Sequence, residues 1–136
     1  MNKKDLKPAS VYYYFEEICQ VPRPSKREEK IIAYLKAFGR EHGLETKTDE
    51  VGNVLIKKPA TPGKENLKTV ILQSHIDMVC EKNSDVEHDF LIDPIDTVVD
   101  GEWLKAKGTT LGADNGIGVA TELAILAATD IEHGPL

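Results

Sequence analysis

The chain has 136 residues, 40% of them hydrophobic and 29% charged, with a formal net charge of −6, which fits one globular domain. No stretch approaches the roughly 18 apolar residues that a membrane span needs, and no apolar run of a secretory signal follows the basic start. Cys19 and Cys80 form no CxxC pair. We therefore expect a cytoplasmic protein that has two unreactive thiols and no membrane partner.

Charge is divided unevenly along the chain. Residues 1–74 carry 14 Lys and Arg against 10 Asp and Glu, whereas residues 75–136 carry 3 against 13. The second half therefore has a net charge of −10 and is not suited to nucleic acid, because phosphate backbones need basic partners. It is suited to cations, metal ions among them.

The first 43 residues have the patterns of two helices. Apolar side chains recur at helical spacing in residues 11–21, and Ser10 precedes them as the expected N-cap. The second helix is expected to start at Ser25, which has the capping-box spacing with Glu28. Gly43 stands where a glycine commonly ends a helix.

Two strand patterns come next. Residues 45–60 predict a pair of strands around Gly52-Asn53. Residues 67–74 contain a short β-branched apolar run and predict a buried strand. The expected fold class is α/β, with a mixed sheet flanked by helices and the site at the carboxyl ends of its strands.

The remaining elements are a hairpin and a helix. Residues 91–108 alternate in polarity and carry an Asp100-Gly101 turn signal, which is typical of a hairpin. Residues 117–128 are good helix formers and are apolar nearly all round, so a buried helix is expected there.

Two candidate site residues end the predicted strand of residues 67–74. His75 and Asp77 are two positions apart, so their side chains would lie on the same side of a continuing strand. A carboxylate beside an imidazole fixes its tautomer and improves it as a metal ligand. A structural histidine with a chance acidic neighbour is the more common explanation of such a pair when it stands alone.

A third candidate, Asp114, lies in the glycine-rich stretch GADNGIG, just before the last helix. Its ordinary role would be that of an N-cap. A dinucleotide fingerprint is excluded because Thr121 replaces the required small residue, and a P-loop lysine is absent. Imidazole and carboxylate without thiolate instead favour a catalytic site for zinc, manganese or iron.

Two long stretches carry a resemblance to a known family. SHIDMVCEKN (74–83) and GTTLGADNGIGVATELAILA (108–127) resemble the N-terminal signatures of aminoacyl-histidine dipeptidases, also called cytosol non-specific dipeptidases or peptidase D. Residues 12–25, 28–44 and 49–60 are similar as well. These enzymes are part of a superfamily of co-catalytic zinc exopeptidases.

The resemblance implies a role for each candidate residue. His75 would bind one of two zinc ions, with manganese or cobalt as possible substitutes, and Asp114 would bridge both. Asp77 would be the catalytic carboxylate that orients His75. The Asp114-Asn115 peptide would be cis. The implied activity is zinc-dependent hydrolysis of dipeptides, including Xaa-His, by a metal-activated water.

The resemblance also implies that the site is incomplete. Residues 1–136 would form part of a metallopeptidase catalytic domain, ending before the strand that carries the general-base glutamate, which would begin near Leu136. Glu122 and Glu132 do not fit that motif. The chain alone is therefore expected to be inactive, whereas the full-length enzyme would be a homodimer that takes dipeptides as substrate.

Two alternatives stay open. The chain could be a non-catalytic fragment that binds a metal or a partner, or it could derive from a deacylase or tripeptidase of the same superfamily. An exposed sheet edge, where the strand expected to begin near Leu136 is absent, would also allow the fragment to associate with another chain.

Overall fold

The computed structural model describes residues 3–136, in which helices pack beside two small antiparallel sheets. The α/β fold class predicted from the sequence is confirmed. A 3₁₀ turn, Lys3–Asp5, precedes the elements α1 Ala9–Cys19, α2 Glu29–Glu41, β1 Glu45–Thr48, β2 Val54–Lys57, β3 Thr97–Asp100, β4 Trp103–Ala106 and α3 Ala113–Ala127. In the described part of the chain, no helix is both long and apolar enough to cross a membrane.

The hydrophobic core is centred on the contact between α1 and α3. Phe15 and Ile18 of α1 are 1% and 0% exposed, and Leu123 of α3 is 2% exposed. Burying one such side chain stabilises the fold by roughly 1.5–3 kcal/mol. This contact holds the start of α3 against the first helix.

Both helix starts predicted from capping residues are wrong. Helix α1 begins at Ala9 after Pro8, so Ser10 lies inside its first turn. Helix α2 begins at Glu29, and no side chain caps it. The Ser25 hydroxyl donates instead to the carboxylate of Asp77. A long-range partner has therefore replaced the local capping bond.

The predicted end of α2 is confirmed. Gly43 has a φ of +65° and follows the last helical turn. Its N–H donates to the carbonyl of Arg40 at 3.1 Å, while the N–H of Leu44 donates to that of Gly39 at 2.8 Å. These two bonds form a Schellman motif, in which glycine adopts the left-handed conformation with little strain.

Both predicted hairpins are confirmed. Strands β1 and β2 pair antiparallel, with Thr48 opposite Val54. Strands β3 and β4 do the same, with Asp100 opposite Trp103, so the two loop residues are Gly101 and Glu102. The turn is thus one residue later than the Asp100-Gly101 signal suggested, and Gly101 takes the positive φ of +61°.

The prediction of a buried strand over residues 67–74 is wrong. The segment is extended but unpaired, and Val70, Ile71 and Leu72 are 51%, 83% and 45% exposed. The main-chain N–H of Leu67 donates to the carbonyl of Lys64, and that of Val70 donates to the carbonyl of Pro135. No described strand lies alongside to complete a ladder, so the apolar run stays open to solvent.

Helix α3 is buried on one face only, which corrects the expectation of a helix buried all round. Ile117 is 38% exposed. The face that bears Glu122 and Leu126 lines an open groove of about 780 Å³, which also borders β2 and residues 69–74. Some of the apolar side chains that indicated burial on all sides, such as Leu126, instead line this groove.

Candidate metal centre

The three candidate site residues are brought together by two segments distant in sequence. His75 and Asp77 lie on the extended segment that follows residues 67–74, and Asp114 lies at the start of α3. The Nε2 atom of His75 is 3.1 Å from Oδ1 of Asp114, and its Nδ1 atom is 2.9 Å from Oδ1 of Asp77. The imidazole is therefore held between two carboxylates.

Asp77 is fixed from two sides. Its Oδ2 atom accepts a hydrogen bond from the hydroxyl of Ser25, and its Oδ1 atom faces His75. The bond from Ser25, together with that from His75, lowers the pKa of Asp77 from its ordinary value. The group therefore stays a carboxylate and can hold a proton on Nδ1 of His75, a tautomer in which the lone pair of Nε2 is available to a cation.

Asp114 does not act as an N-cap. Its φ of −95° and ψ of 104° are not helical, and its peptide bond to Asn115 is cis, as the resemblance implied. The side chain of Asn115 caps the regular helix instead, because its Oδ1 atom accepts from the N–H of Gly118 at 3.1 Å. The carboxylate of Asp114 is 98% exposed, which leaves it open to a cation.

Two residues of the turn between α1 and α2 contribute to the site without having been assigned to it from the sequence. Ser25 was assigned to a capping box, but it holds Asp77. Arg23 is buried, and its guanidinium hydrogen-bonds main-chain carbonyls on both site segments. The only local signal for Arg23 was a charged residue enclosed by Pro22 and Pro24.

The pKa of His75 lies above its ordinary value of 6.5, because the hydrogen bonds to Asp114 and then Asp77 favour the protonated imidazole. We expect proton NMR of the metal-free chain to show titration above that value, and Asp114→Asn to lower the pKa more than Asp77→Asn does. The stabilisation from the protonated ring is complete below the unfolded pKa and is lost as pH rises through the folded one. A pKa of His75 at its ordinary value would contradict both contacts.

The donor set fits zinc in its chemistry. Zinc takes imidazole nitrogen and carboxylate oxygen at bond lengths of about 2.0–2.2 Å, so two of its ligands lie roughly 3.3 Å apart. The 3.1 Å between Nε2 of His75 and Oδ1 of Asp114 is close to that spacing. Within residues 3–136 no group of three or more His, Cys, Asp or Glu side chains could hold a metal.

Glu122 and Glu132, the two glutamates weighed as general base from the sequence, have partners elsewhere. Glu122 accepts a hydrogen bond from Ser74 at 2.7 Å, and Glu132 pairs with Lys64 at 3.5 Å. Both carboxylates therefore have contacts apart from His75 and Asp114.

The fold is shared with known peptidases. A tripeptidase from Staphylococcus aureus superposes on 99% of the chain with a TM-score of 0.73, at 23% identity, and the chain covers 35% of that structure. At this identity the superposition shows a common fold alone. No family model matches the chain.

Higher similarity is found to aminoacyl-histidine dipeptidases. The chain is 53% identical to the cytosol non-specific dipeptidase of Escherichia coli over 96% of its own length and 27% of that protein. The aminoacylhistidine dipeptidase of Vibrio alginolyticus matches 99% of the chain with a TM-score of 0.95 and 54% identity. The resemblance stated from the sequence is confirmed, and the chain spans 27–28% of the length of these two relatives.

Proposed function

We propose that this chain is part of the catalytic domain of a cytoplasmic, zinc-dependent dipeptidase that hydrolyses dipeptides, including Xaa-His. The observation that carries the proposal is the contact of His75 with Asp114, in a chain 53% identical to a dipeptidase. His75 and Asp114 are the proposed zinc ligands, and Asp77 is the proposed carboxylate that orients His75. Manganese or cobalt would suit the same donors.

Each residue has a definite task in this proposal. Asp77 keeps the proton on Nδ1 of His75, so that the lone pair of Nε2 is available for a cation. Asp114 offers two carboxylate oxygens and can therefore serve two ions. Zinc, when bound, would lower the pKa of water and polarise the peptide carbonyl of the substrate.

We propose that the other ligands and the general-base glutamate come from outside these 136 residues, so that the chain alone is inactive. Catalytic zinc sites usually have three protein ligands, whereas the described residues bring together His75 and Asp114. The dipeptidase relatives are also more than three times as long as this chain. A homodimer of the whole protein is part of the same proposal.

Hydrolysis by a polypeptide of the relatives' length that carries this chain tests the function. We expect release of histidine from Xaa-His, loss of activity after chelation and recovery with zinc. An N-acetyl amino acid and a tripeptide, assayed in parallel, test the deacylase and tripeptidase alternatives. Unchanged hydrolysis after complete metal removal would refute the zinc mechanism, and no dipeptide hydrolysis at all would favour a non-catalytic role.

We also expect the 136-residue chain to associate through residues 70–72. Unpaired extended segments with exposed apolar side chains pair readily with another strand. Light scattering should show a mass that rises with concentration, and Ile71→Lys should reduce it. Val51→Lys, at a site 79% exposed in the β1–β2 loop, is the control. A strictly monomeric wild type at millimolar concentration would exclude this association.

A further inference from the structure

Arg23 is an unusual residue to find in the interior. It is 2% exposed, and no described carboxylate forms an ion pair with it. Burying a charged group is costly unless its hydrogen bonds are satisfied. The desolvation of Arg23 lowers its pKa, although the nearby Cys19 and Asp77 oppose that effect. A charged side chain buried at this cost is expected to have a role beyond packing.

The guanidinium of Arg23 connects the two segments that carry the candidate ligands. Its Nη1 atom donates to the carbonyls of Ile76 and Asp77, each at 3.3 Å, and its Nη2 atom donates to the carbonyl of Gly112 at 2.8 Å. The first two carbonyls adjoin His75, and the third lies two residues before Asp114. One planar group therefore spans both sides of the site.

The surrounding sequence leaves room for this group. A Cβ atom added at Gly112 would lie 2.7 Å from Nη2 of Arg23, and one added at Gly116 would lie equally close. Real Cβ atoms do not approach other atoms so closely. Two glycines that flank Asp114 thus permit the guanidinium to reach the main chain of the loop.

The main chain around Arg23 strengthens the connection to the His75 segment. The N–H of Met78 donates to the carbonyl of Arg23 at 3.0 Å, and the N–H of Ser25 donates to the carbonyl of Met78 at 3.3 Å. Pro24 and Met78 form a parallel bridge. The backbone is therefore attached to one segment, while the side chain extends from there to the other.

We propose that Arg23 is a positioning residue that sets the distance between His75 and Asp114 and thereby shapes the zinc site. The inference rests on the proposed function, and it adds a residue that touches neither metal nor substrate. The rigid fork of a guanidinium can donate to carbonyls on both segments at once. The compact ammonium of lysine cannot reproduce that fork, so Arg23→Lys preserves the charge and removes the geometry.

Zinc titration by calorimetry, on a polypeptide of the relatives' length that carries this chain, tests the proposal. We expect Arg23→Lys to weaken zinc binding roughly 10–100-fold, the size typical of residues that orient metal ligands. The absorption spectrum of bound cobalt should change as well. Arg27→Lys is the matched control, since Arg27 lies four residues away and its side chain is 60% exposed. Methylguanidinium added to Arg23→Ala should restore part of the affinity.

Two further measurements establish whether a change in zinc affinity comes from the loss of the Arg23 contacts. Circular dichroism establishes whether each variant is folded, and Arg23→Gln replaces Arg23→Lys if the latter is not. The nitrogen chemical shifts of His75 in the metal-free chain report its hydrogen bonds directly, and we expect Arg23→Lys to alter them while Arg27→Lys does not.

The results separate this inference from the function on which it rests. Wild-type affinity, cobalt spectrum and His75 shifts in a folded Arg23→Lys variant would overturn the positioning role and leave the zinc site standing. If the wild-type polypeptide of the relatives' length binds no zinc, the proposed zinc site fails. The His75 shifts then decide alone whether Arg23 sets the spacing of the two segments.

Discussion

Asp114→Ala is expected to weaken zinc binding roughly 100- to 1,000-fold in a polypeptide of the relatives' length that carries this chain. A four-ligand zinc site contributes about 10–16 kcal/mol of binding free energy, so one ligand accounts for roughly 2.5–4 kcal/mol. Asp114 is suited to the role because its carboxylate lies 3.1 Å from Nε2 of His75 while remaining 98% exposed. Calorimetry and the zinc content after dialysis both measure the loss.

Three further variants test whether the loss of zinc affinity is specific to the proposed site. His75→Ala should lose as much affinity as Asp114→Ala, whereas Asp77→Asn should lose only about 10–100-fold because Asp77 acts through His75. Asp100→Asn is the control, since Asp100 is an exposed carboxylate that pairs with Lys105 on the β3–β4 hairpin. Zinc binding that survives in Asp114→Ala but disappears in Asp100→Asn would place the metal elsewhere in the acidic half.

Phe15→Ala is expected to lower the free energy of unfolding by roughly 3–5 kcal/mol, the usual cost of removing a buried aromatic side chain. Phe15 is 1% exposed at the contact of α1 with α3. Its ring also lies beside Gly116, where an added Cβ atom would be 3.1 Å away. The substitution therefore removes support from the start of α3 as well as buried area.

Urea denaturation followed by circular dichroism measures this effect. Tyr13→Ala is the matched control, because Tyr13 is an aromatic residue of the same helix that is 59% exposed. Its loss should cost less than about 1 kcal/mol, as is usual for surface substitutions. Equal losses for the two variants would mean that the contact between α1 and α3 is not the centre of the core.

Much of the local structure could be predicted from the sequence, because short-range rules apply there. The two hairpins follow from alternating polarity and turn residues, and Gly43 ends α2 because glycine adopts a positive φ readily. The same rules misplaced both helix starts. Ser25 could cap a helix or hold Asp77, and local spacing contains no information about a partner 52 residues away.

The segment of residues 67–74 shows a second limit of predicting structure from sequence. Its apolar run has the composition of a buried strand, yet a strand is defined by its neighbours as much as by its own residues. Ile71 is 83% exposed because no described strand pairs with that segment. Its composition indicated that the segment is able to form a buried strand. The tertiary structure determined how much of its apolar surface is covered.

For the candidate site as well, some properties follow from the sequence and others follow only from the tertiary structure. The sequence by itself determined the residue types: the imidazole and carboxylate that suit a hard cation, and the glycines around Asp114. Only the tertiary structure brought His75 and Asp114 to 3.1 Å across 39 residues, and only it placed Arg23 between their segments. Chemical identity is a property of each residue, whereas distance between remote residues depends on how the whole chain packs.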